Sequence, residues 1–343
     1  MSKASKSYDD KLLDADKFLD DVFRPVFPYI QFESKSIFGG VIPPNNFKGK
    51  ILKYKLFDKT QYSLEKTDRL LHFTSLQGFD AILDSGYLRL SSIENLSDNL
   101  ELSFALENVK TKLKIPIDET EIQNIKQNVF CLSSCLYNND TIRDPFMWEM
   151  YSKGGSGAAI VFEVENIKYD ILLGKVQYGS KKLSIINDLL ERLELYGKKN
   201  DNFLPNNLYE MMSDIFCFHK ANKFNRENEI RLLVGDSKPS VYDKHNNLFI
   251  EEVINSNNQV RYIYKLLLKE RLEDWFHKKY PDRNDITLEE LQNELPKIKI
   301  KEIIVGYNVK EPYTIIQYLY EKKQKLKMDF DIKFMNSELE IRN

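Results

Sequence analysis

The period of apolar and polar positions changes repeatedly along the chain, and each change marks an element. Leu70 to Phe73 reads as a short buried strand. Thr74-Ser75 then signals a helix start, and Phe79, Ile82 and Leu83 recur at helical spacing. Ser85-Gly86 closes that helix, because glycine takes a left-handed cap without steric cost, and Tyr87 to Leu90 reads as the next strand. Upstream, Leu12, Leu13, Phe18, Leu19 and Val22 predict a helix over 7–23 that Pro25 and Pro28 stop. Residues 29–62 are mixed, punctuated by Gly39-Gly40 and Pro43-Pro44, so 1–62 is expected to be an N-terminal extension packed on a core formed by 63–343.

Downstream, Leu102, Ala105, Leu106, Val109 and Leu113 predict an amphipathic helix over 98–113. Residues 129–134 read as a buried strand, and 145–151 as a short helix opened by Pro145. Gly154, Gly155 and Gly157 form a turn into the strand GAAIVFEV. Residues 203–222 read as helix, 230–234 as strand, and IKEIIVGY, Pro312–Lys325 and FDIKF as a terminal strand, helix and strand. Strands and helices interleave, which predicts a mixed α/β (α+β) fold.

Composition narrows the function classes. A formal net charge of −2 gives no global positive field to attract a polyanion, which leaves only a local patch for nucleic acid. The lysines at 322, 323, 325 and 327 are one such run, at a helix end where cations also complement the dipole. Three cysteines without regular spacing argue against a disulfide scaffold and fit a reducing compartment. The N-terminus is polar and no segment approaches the ~20 apolar residues of a membrane span, so a cytoplasmic protein without a membrane partner is expected. None of the four histidines pairs with another at ligand spacing, and Cys131 and Cys135 lack a second pair, so no metal is expected.

Three segments carry candidate chemistry. The glycines of KGGSGAAIVF follow a helix and open a strand, the reverse of a dinucleotide fingerprint, so they mark a tight turn. No G-x-S-x-G elbow supports a serine hydrolase. His72 sits in an apolar strand just before a helix N-terminus, whose free N–H groups favour phosphate or ribose oxygens; a core histidine bonded to backbone is the bland reading. Glu227 and Glu229 alternate ahead of Arg231, so period two would put both carboxylates on one face at a strand entrance. Such a pair can divide labour between stabilising positive charge and orienting a nucleophile; a solvated strand face is the bland reading.

Taken together, LLHFTSL, ENLSDNLE, FCLSS, FMWEMYSKGGSGAAIVF and ENEIRLLV resemble a large bacterial family catalogued as domain of unknown function 2971. Its members read H-Y-T-S, N-D-x-x-E, C-F-S, M-W-x-x-Y and E-x-E-x-R-L in that order, over residues 69–342 of this chain. His72, Asp98, Glu101, Ser133, Trp148, Tyr151, Glu229 and Arg231 match. Phe73, Leu132 and Ser97 stand where Tyr, Phe and Asn are usual. That pattern is in turn similar to the ADP-ribosyltransferase superfamily, with its split β-sheet. The resemblance implies NAD as substrate, Glu229 as the catalytic carboxylate and Glu227 as the group that orients the acceptor. It also implies His72 and Thr74 at a ribose, Ser133 beside the carboxylate, Trp148 or Tyr151 against an aromatic ring, and Arg231 alongside Glu229. The implied activity is transfer of ADP-ribose to an intracellular protein or nucleic acid, or NAD hydrolysis, in a superfamily rich in toxins and defence effectors with antitoxin or operon partners. A nucleotide- or protein-binding module without turnover is the competing class.

Overall fold

A computed structural model describes residues 16–34, 49–52, 55–65, 68–95, 119–167, 171–179, 184–200, 208–235, 249–254, 260–279 and 296–342, with a few single positions between 281 and 293. The expected helix over 98–113, with Asp98 and Glu101, lies outside the described residues, as do residues 7–15 of the first expected helix.

The strands are β1 (Gln31–Ser34), β2 (Gly49–Leu52), β3 (Leu70–Thr74), β4 (Tyr87–Ser92), β5 (Phe130–Leu136), β6 (Ala158–Glu165), β7 (Ile171–Lys175), β8 (Gln177–Tyr178), β9 (His219–Lys220), β10 (Glu229–Val234), β11 (Ile250–Ile254), β12 (Val260–Leu268), β13 (Lys297–Val305), β14 (Asp331–Met335) and β15 (Ile341–Arg342). The helices are α1 (Leu76–Ser85), α2 (Glu119–Asn128), α3 (Asn139–Ile142), α4 (Pro145–Tyr151), α5 (Ser184–Lys199), α6 (Leu208–Phe216), α7 (Leu272–Lys279) and α8 (Pro312–Lys325). The fold is therefore mixed α/β.

One sheet runs β11-β12-β4-β5-β3-β6-β13-β14-β15, with β10 and then β7 added on β5. Because β12 also pairs in parallel with β13 at Leu267–Lys297 and Leu268–Ile298, the strands β12, β4, β5, β3, β6 and β13 close a circuit. β5 is the fork of the structure. Along one edge it pairs with β10 over all but its last residue, from Glu229–Cys135 to Val234–Phe130. Along the other edge it pairs with β3 only at Leu136 and Cys135, and with β4 only at Cys131 and Phe130. The sheet is split between these contacts, beside Leu132, Ser133 and Ser134.

Local chemistry explains the elements that flank the split. The Ser75 hydroxyl caps α1 by accepting from the Gly78 N–H at 2.9 Å, and Gly86 ends it at φ +77°. Asp144 caps α4 by accepting from the Phe146 N–H, with Pro145 in the first turn. The turn into β6 needs glycine twice over. Gly155 sits at φ +76° under the Tyr307 ring, and a Cβ on Gly157 would lie 2.1 Å from the Thr74 carbonyl oxygen. Neither the β3 backbone nor the β6 entrance can yield locally, so Gly157→Ala is expected to destabilise the fold by about 1–3 kcal/mol, the cost of overpacking. A denaturation midpoint equal to wild type would contradict that contact.

Residues 16–62 contribute Phe18, Leu19, Val22, Phe23, Phe27 and Tyr62 to an apolar cluster shared with α5, α6 and the inward side chains Cys131, Leu172 and Leu233 of β5, β7 and β10. A second cluster, with Leu71, Phe73, Met147 and Trp148, covers the same face of the sheet at the other end of β5, around Cys135. Ser133, Arg231 and Glu229 lie on that face where the two clusters meet.

One expected helix is shorter than the pattern suggests. The helix read over 203–222 ends at Phe216, and His219-Lys220 forms β9, paired in parallel with Gln177-Tyr178. Two of the four lysines of the terminal run are engaged within the fold, while Lys325 and Lys327 are exposed. Lys322 pairs with Asp80 and Asp84 of α1, and Lys323 donates to the Phe330 carbonyl at 2.6 Å. Among the described residues, no helix is long and apolar enough to cross a membrane.

Candidate active site: a carboxylate pair at the split in the sheet

Glu229 opens β10 and is 3% exposed. Its carboxylate receives the Ser133 hydroxyl at 2.5 Å and the Arg231 Nε at 2.9 Å on Oε1. Its Oε2 receives the Arg231 guanidinium at 3.1 Å and the Lys220 ammonium at 2.7 Å. Arg231, fully buried two residues along the same strand, is held in turn by donating to the Cys217 carbonyl. Burial alone would raise the Glu229 carboxyl. The charges of Arg231 and Lys220 reverse that and hold it below the ordinary carboxylate range, so it is ionised at neutral pH.

Glu227 does not occupy the strand position that alternation predicts. It ends a six-residue 3₁₀ segment, Asn222–Glu227, and Asn228 at φ +46° turns the chain into β10. The left-handed residue breaks the period-two relation. Even so, both carboxylates meet at Lys220, whose ammonium lies 2.9 Å from Glu227 Oε2. Glu227 Oε1 accepts from the Tyr151 hydroxyl at 2.7 Å, and its backbone carbonyl accepts from the Cys135 thiol. Tyr151 projects from the end of α4 and is 41% exposed. Burial and the bond to Glu227 raise its phenol, so it stays a donor. The Tyr178 hydroxyl accepts from the Glu229 N–H at 2.8 Å.

His72 stands on β3 where the strand has left β5. Its Nδ1 lies 3.0 Å from the Ser133 carbonyl oxygen, an acceptor only, so Nδ1 carries the hydrogen. Burial lowers the imidazole pKa and keeps the ring neutral. The Nε2 is therefore a lone-pair acceptor, suited to a hydroxyl. The backbone bond of the core reading is thus made through Nδ1, and Nε2 is the nitrogen that the ligand-contact reading would use. Thr74 ends β3 and packs its hydroxyl against Gly78 and its carbonyl against Gly157.

Trp148 does not fit the aromatic platform that the family motif suggested. It is fully buried, donates its Nε1–H to the Ile142 carbonyl at 2.7 Å, and packs edge-on to Phe73. Helix α4 turns Met147 and Trp148 inward and leaves Met150 and Tyr151 at the surface, so Tyr151 alone of the two aromatics is open to a ligand.

Lys220 and Tyr178 were not legible as site residues. Both come from two-residue strands that no periodicity window resolves. Cys135 is near the pair but is no nucleophile: burial first, and the two glutamate charges second, push its thiol up to about 12. Among the described residues, no group of three or more His, Cys, Asp or Glu side chains could hold a metal ion. A pocket of about 570 Å³ lies elsewhere, between Phe57, Leu70 and Leu173, and its rim of Asp58, Glu65 and Asp68 is hostile to a phosphate-bearing ligand.

Fold and site together define a mixed α/β protein with a buried, cation-bridged carboxylate pair beside a split sheet. Residues 147–232 match the model of a family described as a protein of unknown function, DUF2971. That span runs from α4 into β10 and contains Tyr151, Lys220, Glu227, Glu229 and Arg231, whereas His72 and Ser133 lie before it. No curated protein and no solved structure matches the chain.

Proposed function

We propose that this protein uses NAD as a substrate, transferring ADP-ribose to an intracellular macromolecule or, with water as acceptor, hydrolysing NAD. The observation that supports this reading is a cation-bridged carboxylate pair bonded to an exposed tyrosine beside the split in the sheet; His72 reaches the same split from β3 through the Ser133 carbonyl. The reaction breaks the bond between ribose C1′ and the nicotinamide nitrogen, and nicotinamide leaves with the bonding electrons. C1′ becomes oxocarbenium-like, and a fixed carboxylate is the group that stabilises such a centre. The acceptor oxygen or nitrogen then attacks C1′ and gives its proton to a base. In this reading His72 Nε2 accepts from a ribose hydroxyl and Tyr151 offers a ring face at the mouth of the site. A toxin or defence effector held by a partner protein is the biological setting that the superfamily resemblance favours.

A second reading has its own support. All four acceptor positions of Glu229 are filled by protein donors, which suits a module that binds a nucleotide or a protein without turning it over. Incubation of the purified chain with NAD, followed by mass spectrometry for free nicotinamide and for ADP-ribosylated protein or nucleic acid, separates the two. Nicotinamide release supports the enzyme. NAD that binds in calorimetry yet stays intact, with candidate acceptors present, supports the binding module. Neither binding nor release removes NAD from the account.

A further inference from the structure

The two carboxylates are not equivalent, and the difference assigns their roles opposite to the motif. A carboxylate offers about four lone-pair positions. On Glu229 these are taken by Ser133, by two nitrogens of Arg231 and by Lys220, and the residue is 3% exposed. A ligand hydroxyl could join it only by displacing one of those donors, and the two cations that hold it are themselves buried. On Glu227 each oxygen receives one donor among the described residues, the Tyr151 hydroxyl on Oε1 and Lys220 on Oε2. Half of its acceptor capacity is unfilled, and its side chain is 13% exposed beside the surface-lying Tyr151.

Resting on the NAD reading above, we infer that Glu227, not Glu229, is the catalytic carboxylate that meets the ribose, and that Glu229 is the fixed anion that gathers Arg231, Lys220 and Ser133 behind it. The geometry gives each a distinct task. Lys220 spans the pair and keeps two like charges side by side without repulsion deciding the local structure. Asn228 at φ +46° takes Glu227 out of the strand and off the period-two alternation, which an extended residue there would not do. Tyr151 holds one oxygen of Glu227 by a single bond, which a ribose hydroxyl could replace.

The test compares Glu227→Gln with Glu229→Gln in the full-length protein by nicotinamide release, NAD affinity and thermal unfolding. Glu227→Gln is expected to lose about 100-fold or more in release, with NAD affinity and melting temperature near wild type. Glu229→Gln is expected to melt lower and, below its transition, to lose clearly less release than Glu227→Gln does. A folded Glu229→Gln that releases none, beside an active Glu227→Gln, overturns the assignment and leaves the NAD reading standing. A wild-type chain that releases no nicotinamide overturns the NAD reading and the assignment with it. Should Glu229→Gln fail to fold, carbodiimide labelling of the wild type decides: Glu227 should take the amine label and Glu229 should not, and the reverse pattern overturns the assignment.

Discussion

Arg231→Met should destabilise the protein more than any other single change at the site, by about 3–5 kcal/mol, the cost of leaving one member of a buried ion pair without its partner. The guanidinium is fully buried and contributes two of the four donors to Glu229. It also donates to the Cys217 carbonyl just past the end of α6, so it ties the helix layer to β10. Methionine keeps much of the apolar length and removes every one of these bonds. Lys220 remains and lessens the loss, but it must then serve Glu229 and Glu227 alone. Adding Glu229→Gln to Arg231→Met should recover part of the stability, because the uncompensated buried anion is gone. Urea denaturation of both variants is the measurement. A single variant within 1 kcal/mol of wild type would mean that the pair is hydrated and not buried as described.

How much of this was readable in advance depends on how local the cause is. Ser75 and Gly86 bracket α1 in sequence and in structure, since capping is a matter of adjacent residues. Asp144-Pro145 opens α4 for the same reason. The register of β5 against β10 was not readable, though the motifs FCLSS and ENEIRLLV that carry it were. Pairing Ser133 with Arg231 and Glu229 needs contacts about a hundred residues apart, which no window captures. The split itself depends on β3 leaving β5 after Leu71 while staying paired with β6 as far as Thr74. Trp148 shows a different limit. An aromatic on a short amphipathic helix reads equally as platform or core, and only the direction of α4 decides between them. The alternation of Glu227 and Glu229 was misleading for a reason the sequence does hold: Asn228 is a residue type that tolerates the left-handed region, and such a residue resets the period.

Acid should destabilise this protein well above the usual carboxylate range, and His219 is the reason. It is fully buried on β9, with its Nε2 2.6 Å from the Tyr62 hydroxyl. Burial, and then the nearby Arg231 charge, hold its pKa at about 3 in the fold, against 6.5 for an ordinary histidine. Its Nδ1 is buried without a hydrogen-bond partner among the described residues, so protonation would create a cation with nowhere to place its second hydrogen. The folded pKa is depressed, so as pH falls below 6.5 the unfolded chain takes up a proton that the folded chain refuses. Stability from this group is whole above 6.5 and declines on the acid side until the folded value is reached. The slope approaches about 1.4 kcal/mol per pH unit well below 6.5, so the loss by pH 4.5 is on the order of 2 kcal/mol. His72, shifted in the same direction by burial, adds to it. Glu229 acts lower: its stabilisation is present above the ordinary carboxylate value of 4.5 and is lost as pH falls below it. His219→Gln leaves a partner for the Tyr62 hydroxyl and removes the titrating group. Urea midpoints measured at half-unit steps from pH 7.5 to 4.5 should fall for wild type and fall markedly less for His219→Gln. Parallel curves for the two proteins would show that His219 binds its proton as readily folded as unfolded.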